Sequence, residues 1–191
     1  MTHKTYKTYK PYTKSGAGYE RLIVYWLATT IYDLTVVFTS HHIKAKKQKD
    51  QMDGAARSGK QNIVEGWLER SLEGALKLLG VARASFGELK EDYLDYLRQN
   101  NLPLWDKADP RIRQIRQTPD LPYKTYKTYK SYVIYTTNDE ALANLIVTLC
   151  CKESFLLDRL IKSTEQKFIQ EGGFRENLFK KRQDYRLKTG D

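Results

Sequence analysis

Few side chains in this sequence are placed to do chemistry. His41 and His42 are adjacent, Cys150 and Cys151 are adjacent, and Glu88, Glu91, Asp92 and Asp95 recur at steps of three and four. A nucleophilic triad needs a histidine aligned with a serine or cysteine and a third group that orients it. No spacing here marks one. A histidine pair closing an apolar helix is explained by its favourable position at the negative end of the helix dipole. The carboxylates would present a metal face, but helix-bundle carboxylate sites draw Glu-x-x-His partners from facing helices, and the sequence contains none. They read as a solvated acidic face. Neighbouring cysteines do not fit ordinary disulfide geometry across one peptide bond, and no ligand spacing accompanies them. Both are expected in a helix core, in a reducing, cytoplasmic compartment. The phosphate-loop pattern Gly-x-x-x-x-Gly-Lys-Ser/Thr does not occur. No catalytic residue, metal or cofactor is therefore expected.

Basic clusters are the remaining signal. The chain of 191 residues carries a net charge of +10, which points to a polyanionic partner. The charge is uneven: residues 1–14, 41–60 and 101–138 each carry +4, residues 174–191 carry +3, and residues 61–100 carry −2. Phosphate contacts are expected from Lys44, Lys46, Lys47, Lys49 and Lys60, from Arg111, Arg113 and Arg116, from Lys124, Lys127 and Lys130, and from Lys180, Lys181 and Arg182. Lys124 to Lys130 repeats Lys4 to Lys10 letter for letter as KTYKTYK. Its period of three matches neither a helix stripe nor strand alternation. Both copies read as disordered, repeat-derived segments that add lysines and stackable tyrosines without defining the fold.

The elements that must position these groups are helices. Apolar residues recur at helical steps from Tyr19 to His42, from Leu72 to Leu97 and from Leu142 to Phe168. The first stripe includes Leu22 to Phe38, at the short limit for a membrane span, but Asp33 and three threonines interrupt it. A soluble core helix is expected, with no membrane and no signal peptide. A second helix begins near Lys44. Ser58-Gly59 predicts a kink or break in it, and Asn62 with Glu65 has the spacing of a capping box for a restarted helix. Ser71 opens the third long helix and Asn138 the last, which Gly172-Gly173 stops. Residues 102–137, with Pro103, Pro110, Pro119 and Pro122, read as a long loop or insertion holding a short helix from Pro110 to Gln117. The reading is all-α: an antiparallel up-and-down four-helix bundle over residues 19–172. A flexible basic arm over residues 1–18 precedes it, and a short basic helix over residues 173–191 follows.

The stretch Ala55 to Arg70, AARSGKQNIVEGWLER, resembles the signature of a four-helix-bundle family first noticed in reading frames within intervening sequences of large-subunit ribosomal RNA genes. Ala55, Ala56, Ser58, Asn62, Ile63, Glu65 and Gly66 match that pattern, while Gly59, Lys60 and Val64 depart from it. Ala82, Ser85, Glu88 and Leu89 fit the family's third-helix pattern. Asn144-Leu145, Leu156 to Arg159 and Phe168 to Arg175 are similar to a subgroup with a C-terminal suffix segment. Both KTYKTYK copies lie outside the recognisable core. The resemblance implies a ring-like homo-oligomer, commonly a pentamer, without established catalysis. One relative, the accessory variability protein of diversity-generating retroelements, binds nucleic acid and a reverse transcriptase, so a protein partner of that kind is implied too. The expected function is a non-enzymatic, oligomeric, nucleic-acid-binding bundle, a ribonucleoprotein or retroelement accessory factor, built on the structural motif Asn62, Glu65 and Gly66. The alternative is a scaffold that docks a partner protein without nucleic acid.

Overall fold

The computed structural model describes residues 18–118 and 132–189. Its architecture is all-helical, with no strand among the described residues. A 3-10 turn at Gly18–Arg21 precedes α1, Ile23–His42. Then come α2, Lys46–Leu68; α3, Leu72–Gln99; α4, Pro110–Gln117; α5, Asp139–Glu171; and α6, Phe174–Thr189. α2 packs between α1 and α3, α3 packs on α5, and α5 packs back on α1, closing a circuit around one core. The core includes Leu27, Ile31, Leu34 and Phe38 of α1, Met52 and Ile63 of α2, Phe86, Leu89 and Tyr93 of α3, and Leu142, Leu145, Ile146 and Leu149 of α5. α1 is the one helix among the described residues long and apolar enough to cross a membrane, and 50% of its most apolar window is buried in the interior.

The caps follow side-chain chemistry. Ser71 Oγ accepts from the Gly74 amide at 3.0 Å, and Asn138 Oδ1 accepts from the Ala141 amide at 2.7 Å. Each satisfies an amide that has no partner inside its own helix. Asp109 does the same for Arg111 at 2.8 Å, with Pro110 in the first turn. Gly172, at φ 76°, closes α5 in a left-handed conformation that glycine adopts without strain.

α2 corrects the sequence reading. No break occurs at Ser58-Gly59: the helix runs unbroken from Lys46 to Leu68. Asn62 is no cap, because its Nδ2 donates one turn back, to Ser58 O at 2.9 Å and to Ser58 Oγ at 3.2 Å. Glu65 is exposed on the outer face. The physical reason lies on α3. A Cβ at position 59 would come within 2.5 Å of the Phe86 ring, so glycine serves close helix approach there. Ser85 Oγ donates to Ser58 Oγ at 3.1 Å across the same contact. Gly66 is buried against α3, where its Cβ position lies 3.4 Å from the Ala75 carbonyl.

Residues 102–118 are bound to α5. The Trp105 amide donates to Asn144 Oδ1 at 2.8 Å, Trp105 Nε1 to Glu140 Oε1 at 2.7 Å, and Asn144 Nδ2 to Pro103 O at 3.0 Å. Ile112 and Ile115 of α4 and Tyr135 are buried with Trp105. This cover explains why every residue from Ala141 to Cys150 is buried. α5 has neighbours on all sides there, and a helix apolar all round is a buried one. Cys151, one residue further, is exposed, which corrects the expectation that both cysteines lie in the core.

Candidate nucleic-acid interface

Contacts between elements place two of the basic clusters at one end of the molecule. Phe38, one turn before the end of α1, stacks edge-on with Tyr96 of α3 at 4.8 Å between ring centroids. Tyr96 donates its phenol to Asp139 in the first turn of α5 at 2.9 Å. Trp105 is bound to Glu140 and Asn144 just beyond. The α1–α2 corner, the end of α3 and the start of α5 thus meet. Lys44, Lys46 and Lys47 are exposed on this corner. α4 leaves the same end and runs down α5, to where Lys152 Nζ donates to Thr118 O at 3.1 Å. Ile112 and Ile115 face inward, which turns Arg113 and Arg116 outward to solvent.

Other predicted cations are engaged by the fold. Lys49 donates to Thr39 Oγ1 at 3.2 Å and pairs with Asp53 at 3.6 Å, while Thr39 donates to Asp53 at 2.7 Å. Lys60 is half-buried, its ammonium 4.7 Å from the centre of the Tyr32 ring. Burial raises the Asp33 carboxyl, and Lys60 partly offsets this. Arg111 stacks on Trp105 at 3.6 Å and pairs with Asp109 at 2.7 Å. The arginine's hydrogen bond holds the Asp109 carboxyl below its usual range. These three cations fasten α1 to α2 or hold the segment after α3 in place.

Lys180, Lys181 and Arg182 lie elsewhere. They are exposed on α6, which starts where a Gly173 Cβ would meet Glu73 in the first turn of α3. That is the opposite end of α3 from Tyr96. Lys124, Lys127 and Lys130, and both KTYKTYK copies, lie outside the described residues.

The groups singled out for chemistry sit apart from one another. His41 Nδ1 lies 2.8 Å from the Val37 carbonyl at the end of α1. Glu88 and Asp92 line an open groove of about 430 Å³ between α2 and α3 with Gln51, Gly54, Ala55, Ser58 and Ser85. Burial raises the Asp92 carboxyl, and the charges of Asp95 and Glu88 add to the effect. Asp95 is paired with Arg98 at 2.9 Å, and Glu91 with Lys90 at 2.9 Å. Among the described residues no three His, Cys, Asp or Glu side chains are grouped to hold a metal ion. Burial pushes the Cys150 thiol well up, away from the thiolate a nucleophile needs.

Glu153 went unread in the sequence, although it is fully buried in the core beside Cys150. Its signal was its place on the stripe, four residues after Leu149 and four before Leu157. No family model, curated protein or solved structure matches this chain.

Proposed function

We propose that this chain is a non-enzymatic, oligomeric, nucleic-acid-binding protein of the cytoplasm, built as an antiparallel up-and-down four-helix bundle. The circuit of contacts from α1 through α2 and α3 to α5 supports that bundle. One observation carries the binding reading: exposed cations from segments more than sixty residues apart, Lys44, Lys46 and Lys47 on one side and Arg113 and Arg116 on the other, share one end and its flank. Cations spread along a surface bind phosphate by releasing counterions, without base-specific contacts. Exposed lysines at a helix corner follow a flexible backbone, and arginines offer two-point hydrogen bonds to phosphate. The resemblance to the ribosomal intervening-sequence family agrees with this reading. A reverse transcriptase remains the protein partner that resemblance suggests.

The test is anisotropy of a labelled single-stranded RNA against salt. Binding should weaken linearly on a log–log scale. Lys44→Ala, Lys46→Ala and Lys47→Ala together should lower the slope by about 2, at about 0.7 per phosphate contact in single strands. Binding indifferent to salt, or an unchanged slope in the triple variant, overturns the reading. The scaffold alternative has its own support in the α2–α3 groove and the apolar residues exposed on α6.

A further inference from the structure

Two surfaces of this chain are left over by the fold, and they are complementary. The first is α6. It buries no residue and shares no extensive contact with any other described element. Phe174, Leu178 and Tyr185, spaced by four and seven, share one side of the helix. They are 43%, 50% and 66% exposed. By the same helical geometry Lys181 and Lys188 flank one edge of this stripe and Arg175 and Arg182 the other, while Asp184 and Arg186 lie further round and Glu176 is opposite. α6 is thus an apolar stripe between two rows of cations.

The second surface is the α2–α3 groove. Its floor is small: Gly54, Ala55, Ser58 and Ser85. A Cβ built at Gly54, or at Gly80 and Gly87 along the neighbouring face of α3, meets nothing within 4 Å. Among the described residues nothing packs against the open side of these glycines. Glu88 and Asp92 form its acidic wall, with Glu91 and Asp95 exposed beside them. Small side chains let a helix approach closely, and the carboxylates meet cations at the edges of an apolar stripe.

The two surfaces do not meet within one chain. α6 starts beside Glu73, in the first turn of α3. Glu88 and Asp92 lie fifteen and nineteen residues further along, about 22 to 28 Å at 1.5 Å per residue. We infer that α6 of one copy lies in the α2–α3 groove of a second copy, its Phe174, Leu178 and Tyr185 on the small-residue floor and its cations on Glu88 and Asp92. The inference rests on the oligomeric part of the proposed function and not on nucleic-acid binding. It gives the tail cations a protein partner and leaves phosphate contact to the opposite end. A stripe on one copy and a groove on the next make a head-to-tail contact, which closes into a ring or exchanges between two copies.

The test uses full-length protein treated with nuclease, so that loss of nucleic-acid binding does not affect the outcome. Light scattering should give at least twice the chain mass of 22.4 kDa. A tail variant, Lys181→Glu with Arg182→Glu, and a groove variant, Glu88→Lys with Asp92→Lys, should each fall to the chain mass. Circular dichroism should show each still helical. Mixing the two restores opposite charge wherever unlike variants meet and should return the mass to at least twice that of the chain. Gly54→Leu, on the groove floor where a Cβ meets nothing within 4 Å, should also give the chain mass, by filling the groove. A monomeric parent protein, assembly that nuclease abolishes, variants that stay assembled, or variants that remain apart on mixing each overturn the inference.

Discussion

Gly59→Ala separates two accounts of α2 by the sign of its effect. Were Gly59 a weak point in a kinked helix, alanine would stabilise the protein by about 1 kcal/mol, the ordinary difference in helix propensity. The structure predicts the reverse. The new Cβ would sit 2.5, 2.6 and 3.0 Å from three ring carbons of Phe86. Phe86 is fully buried in the core, so a ring that moves aside must displace packed neighbours. Forcing a methyl group into a packed contact costs about 1–3 kcal/mol, so after the propensity gain the net loss reaches about 2 kcal/mol. In a domain of this size each kcal/mol shifts the midpoint by roughly 2–4 °C. Urea denaturation followed by circular dichroism measures the change, and Gly80→Ala serves as control because its Cβ would meet nothing. The control should gain about 1 kcal/mol. Phe86→Leu should remove the penalty, so that adding Gly59→Ala to it costs less than Gly59→Ala costs alone. An alanine at position 59 that stabilises as much as Gly80→Ala does would refute the packing account of the unbroken helix.

Two of the remaining predictions concern the end where α1, α3 and α5 meet, and the third an ion pair further along α3 and α5. Asn144→Ala takes the acceptor from the buried Trp105 amide and the donor from Pro103 O; it should cost about 1–3 kcal/mol, and amide exchange should rise first across residues 103–117. The Tyr96 phenol is pushed up to about 12, by burial first and then by its hydrogen bond to Asp139. Since the folded value lies above the unfolded value of 10, Tyr96 contributes stability that is complete below pH 10 and lost as pH rises through 12. Burial also raises Tyr93 and Tyr135, so ultraviolet titration should show a late phase of several phenols, and the part of it that belongs to Tyr96 should move down in Asp139→Asn. Asp158→Asn breaks an ion pair with Arg83 in which both side chains are about half exposed; unfolding should move by less than about 1 kcal/mol, as for other solvated pairs.

Helical stripes made the long helices legible in the sequence because a helix that buries one face must repeat every three or four residues. The cap at Asn138 and the short helix at Pro110 were legible for a local reason too, since each depends on hydrogen bonds within a few residues. Asn62 and Glu65 show where local reading fails. Their spacing satisfies a capping box, yet Phe86 and Ser85 on α3 hold this part of α2 inside one helix. The basic end was half legible. Composition showed that Lys44 to Lys60 and Arg111 to Arg116 are cationic, but not which of them the fold engages.

The sequence by itself determined an all-helical chain, its helix starts, an uneven positive charge and the lack of a catalytic pattern, because each follows from residue type and spacing along the chain. Only the tertiary structure decided that Lys49, Lys60 and Arg111 are fastened to Asp53, Tyr32 and Trp105 while Lys44, Lys46, Lys47, Arg113 and Arg116 face solvent. It also decided that the tail cations stand at the other end, and that glycines of similar appearance differ. Gly59 has no room for a methyl group, while Gly54, Gly80 and Gly87 stand open. The physical reason is common to all of these. Burial and ion pairing depend on which helices pass within a few ångströms, and that distance is set by packing between segments far apart in the chain.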